Sequence, residues 1–212
     1  MLVVCLDAGH GGNDSGALGP TGLKESDMTL DVCERAKRLL ETHVKVIMTR
    51  EGQGTNVSLT KRADYCNAQH ADVFVSYHFN SAENPAHGFE IFTTRGQNNS
   101  DKLATAIFKQ HAAQFPDQRK RSGWSDGDED KEANFSVIRR ANCPAVLVEG
   151  EFIHTPEGEN FISSEHNRQK MAIAVAEGVL DFLAVSGTTP AAPPSLTVEQ
   201  RLDRIERQLG LS

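Results

Sequence analysis

Aromatic residues are scarce in this sequence: they make up 6% of 212 residues, and Trp124 is the single tryptophan. Long apolar runs are missing too. None approaches the roughly 18 residues that a membrane-spanning helix needs, so membrane insertion is not expected. Positive charge is in deficit, with 22 Lys and Arg against 29 Asp and Glu, for a net charge of −7. That balance disfavours nucleic acid as the main partner. The basic "RKR" at 119–121 does not change this, because the acidic "DGDEDKE" follows at 126–132. The acidic stretch hints at calcium but lacks a calcium-loop pattern, so it reads as a solvated loop. Four cysteines are present, Cys5, Cys33, Cys66 and Cys143, with no CxxC pair among them. They read as buried, reduced thiols rather than disulfides or metal ligands. The N-terminal "MLVVCLDAGH" has no basic leader, no long apolar region and no small-residue cleavage site. The expectation is synthesis in the cytoplasm without a signal peptide.

What is there alternates between two periodicities. Strand-like segments cover 2–7, 44–50, 71–80, 87–94 and 143–152. Helical spacing follows Ser26 and recurs over 58–70, 100–115 and 166–185, with Ser26 and Ser58 as candidate caps. Strands alternating with helices predict an α/β fold: one domain over residues 1–185, with a mostly parallel or mixed twisted sheet and helices on both faces. Residues 186–196, "SGTTPAAPPSL", form a Pro/Ala/Thr-rich linker. Beyond it, residues 197–212 carry Val198, Leu202, Ile205 and Leu209 at heptad spacing. This predicts a short C-terminal helix able to join chains into a homo-oligomer.

Ligand sites in such sheets form at the carboxyl ends of the strands. His10, His78 and Glu149 fall at or near predicted strand ends. Glu25 falls at the start of the first helix, after the glycine-rich "DAGHGGNDSGALGPTGLKES" of residues 7–26. Two histidines and a carboxylate are a recurrent ligand set for catalytic zinc. A metal so held lowers the pKa of a coordinated water from 15.7 toward about 7, and a further carboxylate can then carry the proton. Each residue also has a structural reading. Glu25 can serve as a first-turn carboxylate on the helix dipole, and Glu149 as an ion-pair partner. Spacing alone does not choose between the two. His43, His70, His87, His111, His154 and His166 read as surface or packing residues.

Three blocks in order, "DAGHGGNDSGALGPTGLKES", "VSLTKRADYCNAQHADVFVSYHFNS" and "CPAVLVEGEFI", resemble the zinc-dependent N-acetylmuramoyl-L-alanine amidases of the type-3 catalytic-domain family. The resemblance runs from about residue 2 to about residue 184. It implies that one Zn2+ per chain is held by His10, Glu25 and His78, with Glu149 as the catalytic glutamate. Relatives carry an apolar residue and then glycine after that glutamate. Here Gly150 and Glu151 follow, which makes Glu151 a competing candidate for the base. Asn80, Arg119 and Arg121 are candidate substrate contacts, and Trp124 a further one. The implied activity is hydrolysis of the bond between N-acetylmuramic acid and L-alanine in peptidoglycan. A polar loop of about twenty residues before "FSVIRR" fits a connection without an inserted blocking helix. The expectation is therefore an uninhibited phage or prophage endolysin that acts on the wall after release. Two alternatives are a host amidase of spore or sporangial wall turnover and a non-catalytic wall-binding module on the same fold.

Overall fold

The computed structural model describes residues 1–123 and 127–185. Trp124, the linker and the heptad segment lie outside the described residues. The elements run β1 (Val3–Ala8), α1 (Glu25–Leu40), β2 (Lys45–Met48), α2 (Leu59–Ala68), β3 (Val73–Asn80), β4 (Glu90–Thr93), α3 (Asn99–Gln114), β5 (Lys131–Glu132), α4 (Ser136–Arg139), β6 (Ala145–Phe152), α5 (Pro156–Ser163) and α6 (Glu165–Val185). Among the described residues, no helix is long and apolar enough to cross a membrane.

The six strands form one mixed sheet in the order β2-β1-β3-β6-β4-β5. Strands β2, β1, β3 and β6 are mutually parallel, and β4 runs antiparallel to β6. Period-two alternation in the strand sequences sends side chains to two separate cores. Val4, Leu6, Val75, Tyr77, Val146 and Val148 join the larger core under α1, α3 and α6. Cys5, Phe74, Ala145 and Leu147 face the smaller core, where α2 contributes Cys66 and α4 contributes Val137 and Ile138. Each large apolar side chain fully buried this way contributes about 1.5–3 kcal/mol. All four cysteines are free thiols; three are buried and Cys143 is half-buried. The expected two-faced α/β domain is present. Three short elements were not anticipated from the sequence: β5, α4 and α5.

Helix α1 begins two residues earlier than the candidate cap Ser26 implies. Lys24 occupies the cap position and makes no side-chain capping bond. The orphan N–H groups of the first turn are satisfied by the loop instead. Glu25 N donates to Ala17 O at 3.0 Å and Ser26 N to Ser15 O at 3.0 Å. The glycine-rich loop is thereby stitched to the start of the helix, and Glu25 becomes its first residue.

Candidate metal centre and active site

Loop, helix start and strand end converge at one place. Single ligand atoms of His10, Glu25 and His78 all lie within 4.8 Å of one another. Glu25 Oε1 sits 3.1 Å from His10 Nε2 and 3.0 Å from His78 Nδ1. The carboxylate is fixed from behind, because Ala17 N donates to Oε2 at 2.9 Å and Phe79 N to Oε1 at 3.1 Å. His10 is oriented through its other nitrogen, with Nδ1 2.9 Å from Asp14 Oδ2. A carboxylate behind a histidine is the usual way to set its tautomer toward a metal. Burial would raise the Glu25 carboxyl, but the hydrogen bonds and charges of His10 and His78 overcome it and hold the pKa at about 2. Burial likewise works to lower His10, and Glu25 and Asp14 outweigh it and raise its pKa. Two imidazoles around one ionised, buried carboxylate form a donor set that suits zinc in chemistry and number.

The glycines explain how these side chains approach so closely. A Cβ on Gly9 would stand 2.4 Å from the His78 ring, and one on Gly16 would stand 2.6 Å from both Glu25 Oε2 and His10 Cδ2. Gly16 also sits at φ 66°, where a side chain is strained regardless of space.

Two buried arginines clamp the backbone that carries His10. Arg62 donates to Asp7 Oδ1 at 2.7 Å, Ala8 O at 2.8 Å and His10 O at 2.6 Å. Arg50 donates to Ala8 O, Gly9 O and Ser26 O at 2.9, 3.0 and 2.6 Å. Sequence reasoning missed both, together with Asp14 and Asp7. Asp14, four residues after His10, was the one legible signal, as a spacing that allows ring-to-carboxylate contact.

Glu149 pairs with His78 across the β3–β6 register and with Glu90 across β4–β6. Its Oε2 is shielded and has no hydrogen-bond partner among the described residues. Burial pushes its pKa well above the usual carboxylate range, and the charges of Glu25 and Glu90 add to the shift. Glu151 is different in kind. The register slips by one residue between His78↔Glu149 and Asn80↔Phe152, which marks a bulge on β6. The Glu151 carboxylate then accepts from Gly88 N at 2.5 Å, Phe152 N at 2.9 Å and Gln118 Nε2 at 2.8 Å. All of its visible bonding is structural.

Asn80 and Arg121 converge on a residue that sequence reasoning passed over. Glu90 is 4% exposed and accepts from Asn80 Nδ2, Arg121 Nε and Lys131 Nζ at 2.6, 2.7 and 2.6 Å. The Arg121 guanidinium also lies 5.1 Å from the centre of the Phe152 ring. Arg119 stays apart from this network. Its carbonyl accepts from Phe89 N at 2.9 Å, and its exposed side chain lines a cavity of about 630 Å³ with His87, Phe115, Gln118, Glu151 and Phe161.

The fold and this site define an α/β domain with a two-histidine, one-carboxylate cluster at the carboxyl edge of its sheet. The sequence profile of the type-3 N-acetylmuramoyl-L-alanine amidases matches residues 4–181, and the chain belongs to that family. It is 32% identical over 194 residues to the endolysin of Bacillus phage SPP1, covering 91% of this chain and 70% of that protein. It is 31% identical over 222 residues to N-acetylmuramoyl-L-alanine amidase AmiC of Neisseria meningitidis, covering 87% of this chain but only 53% of AmiC. In structure it superposes on an N-acetylmuramoyl-L-alanine amidase from Clostridium difficile 630 with a TM-score of 0.79 and 32% identity, over 86% of this chain and 97% of the other.

Proposed function

We propose that this protein is a zinc-dependent hydrolase of peptidoglycan that cuts the amide between the lactyl group of N-acetylmuramic acid and L-alanine. The observation that carries the reading is the convergence of His10, Glu25 and His78 on the same sheet edge as Glu149, whose Oε2 is shielded and without a partner among the described residues. These three side chains would hold the zinc. When bound, it supplies Lewis acidity that activates water and polarises the scissile carbonyl. Glu149, with its raised pKa, suits a group that takes the proton of the attacking water and delivers it to the departing alanine nitrogen. Glu151 does not compete for that role, because three scaffold donors occupy its carboxylate.

Asn80 and Arg121 act as positioning residues through Glu90, which lies opposite Glu149 in the sheet. Arg119, on the rim of its cavity, is the better candidate to meet a stem-peptide carboxylate. Similarity to a phage endolysin supports a role in wall lysis, while similarity to bacterial amidases supports turnover of a host wall as the alternative. The heptad spacing of residues 197–212 supports self-association on sequence grounds.

Digestion of purified peptidoglycan tests the reaction. New alanine amino groups without new reducing sugars are expected, lost on chelation and restored by zinc. New reducing ends would assign the cut to the glycan instead.

A further inference from the structure

A second cluster of acids lies away from the histidine site. Single carboxylate oxygens of Asp101, Asp128 and Asp130 all fall within 4.8 Å of one another. Asp101 comes from the first turn of α3, where it also closes the capping box with Asn98. Asp128 and Asp130 come from the segment leading into β5. The three are brought together only by the fold, which is why no calcium-loop spacing is visible in "DGDEDKE".

An acidic cluster alone says little, but although Asp101 accepts from Asn98 N and Asp128 Oδ2 from Gln97 Nε2 at 3.0 Å, two shielded oxygens of this one stay unsatisfied among the described residues. Asp130 is 1% exposed. One of its oxygens accepts from Thr93 Oγ1 at 2.5 Å, whereas the other, Oδ1, is shielded and has no partner among the described residues. Asp128 Oδ1 is likewise shielded without a partner among the described residues. Among the described residues, no lysine or arginine forms an ion pair with any of the three. The adjacent Lys131 is turned to Glu90. Burial raises the Asp130 carboxyl above the usual range against the bond from Thr93, and the close contact and charge of Asp128, with the charge of Asp101, raise it further. Like charges held this close need a proton or a cation between them.

We propose that Asp101, Asp128 and Asp130 form a site for one structural Ca2+. The donors are all oxygen, which selects a hard cation over zinc or copper. Calcium accepts an irregular set of carboxylates completed by water, whereas magnesium demands a near-ideal octahedron. The ion would tie the segment before β5 to α3. Strand β5 carries Lys131, the partner of Glu90, so the site braces the wall beside Glu149. It does not depend on the amidase reading.

The test is titration of CaCl2 into the zinc-saturated full-length protein, followed by calorimetry and by thermal unfolding. One calcium per chain is expected. At about 100 times its dissociation constant, it should raise Tm by about 5–10 °C. Asp130→Asn and, separately, the half-buried Asp128→Asn should abolish the binding heat and the Tm shift while leaving zinc content unchanged. Absence of calcium heat up to ~10 mM, a range covering weak extracellular-type sites, would overturn the proposal. So would equal calcium binding by both variants, or binding of MgCl2 in preference to CaCl2. If the carboxylates instead share a proton, Asp130→Asn will be more stable than the parent at pH 7, and calcium will change nothing; that result also overturns it.

Discussion

At the scale of single residues, the two carboxylates of the "VEGEF" segment show how environment assigns roles. Glu149 has an oxygen with no partner, and Glu151 has every visible bond committed to backbone and to Gln118. Glu149→Gln is expected to keep zinc and the fold, and to lower turnover by about 100- to 10,000-fold. It should also unfold at a higher temperature than the parent, because a shielded carboxyl near Glu25 and Glu90 has been neutralised. A variant that loses zinc along with activity would place Glu149 among the ligands instead. Gly16 gives a second residue-scale test. In Gly16→Ala the new methyl would press on both Glu25 and His10 from a backbone at φ 66°. A destabilisation of about 1–3 kcal/mol with weakened zinc binding is expected, measured by urea unfolding and metal content.

At the scale of elements, the loop after β1 is held by side chains from α2 and from the turn that follows β2. Arg62 of α2 is buried against Asp7 and reaches the carbonyls of Ala8 and His10. Arg62→Ala leaves Asp7 buried without its ion-pair partner, held only by the hydroxyls of Thr49 and Ser76, which costs about 3–5 kcal/mol. Arg62→Lys should rescue little, since one ammonium cannot reproduce the fork. Denaturant midpoints decide both. A different pair of elements sets an acid limit. His111 of α3 stacks on Phe89 at 3.7 Å and lies 2.6 Å from Gln118 Oε1 through Nε2. Burial drives its pKa down to about 3, with Lys120 and Lys170 adding to the shift against the opposing bond to Gln118. The unfolded chain takes up that proton near pH 6.5 and the native state does not. Stability is therefore full above about pH 6.5 and falls as pH drops toward about 3, by about 2 kcal/mol at pH 5. His111→Gln should be less stable at pH 7 and show a shallower loss between pH 7 and pH 5 in paired urea titrations.

At the scale of the whole molecule, the proposed zinc ties together β1's loop, α1 and β3. Binding only to the native state adds stability by mass action. Chelation should therefore lower Tm as well as abolish hydrolysis, and zinc should restore both. His10→Ala and His78→Ala should each hold less than one zinc per chain by elemental analysis. Full zinc in either variant would remove that residue from the ligand set.

Much of this protein is determined by sequence alone. Period-two runs such as "VVCLDA" and "AVLVEGEF" specify strands that feed two cores, and the histidine–carboxylate cluster together with Glu149 stands in three readable blocks. Helix α5 was passed over in the sequence although its start carries a local signal, Thr155 accepting from Gly158 N as cap and Pro156 at the first position. Other features arise only from contacts distant in sequence. The bulge that separates Glu149 from Glu151 depends on how β6 pairs with β3. Glu90 becomes a hub only when residues 80, 121 and 131 meet it. Arg50 and Arg62 look like ordinary surface cations in a linear reading, and packing buries both. Asp101 joins Asp128 and Asp130 across more than twenty-five positions of chain. Local pattern records which face of an element is apolar, because that is a property of neighbours in sequence. Where a polar group goes once it is buried is decided by whatever donors the tertiary fold brings within about 3 Å.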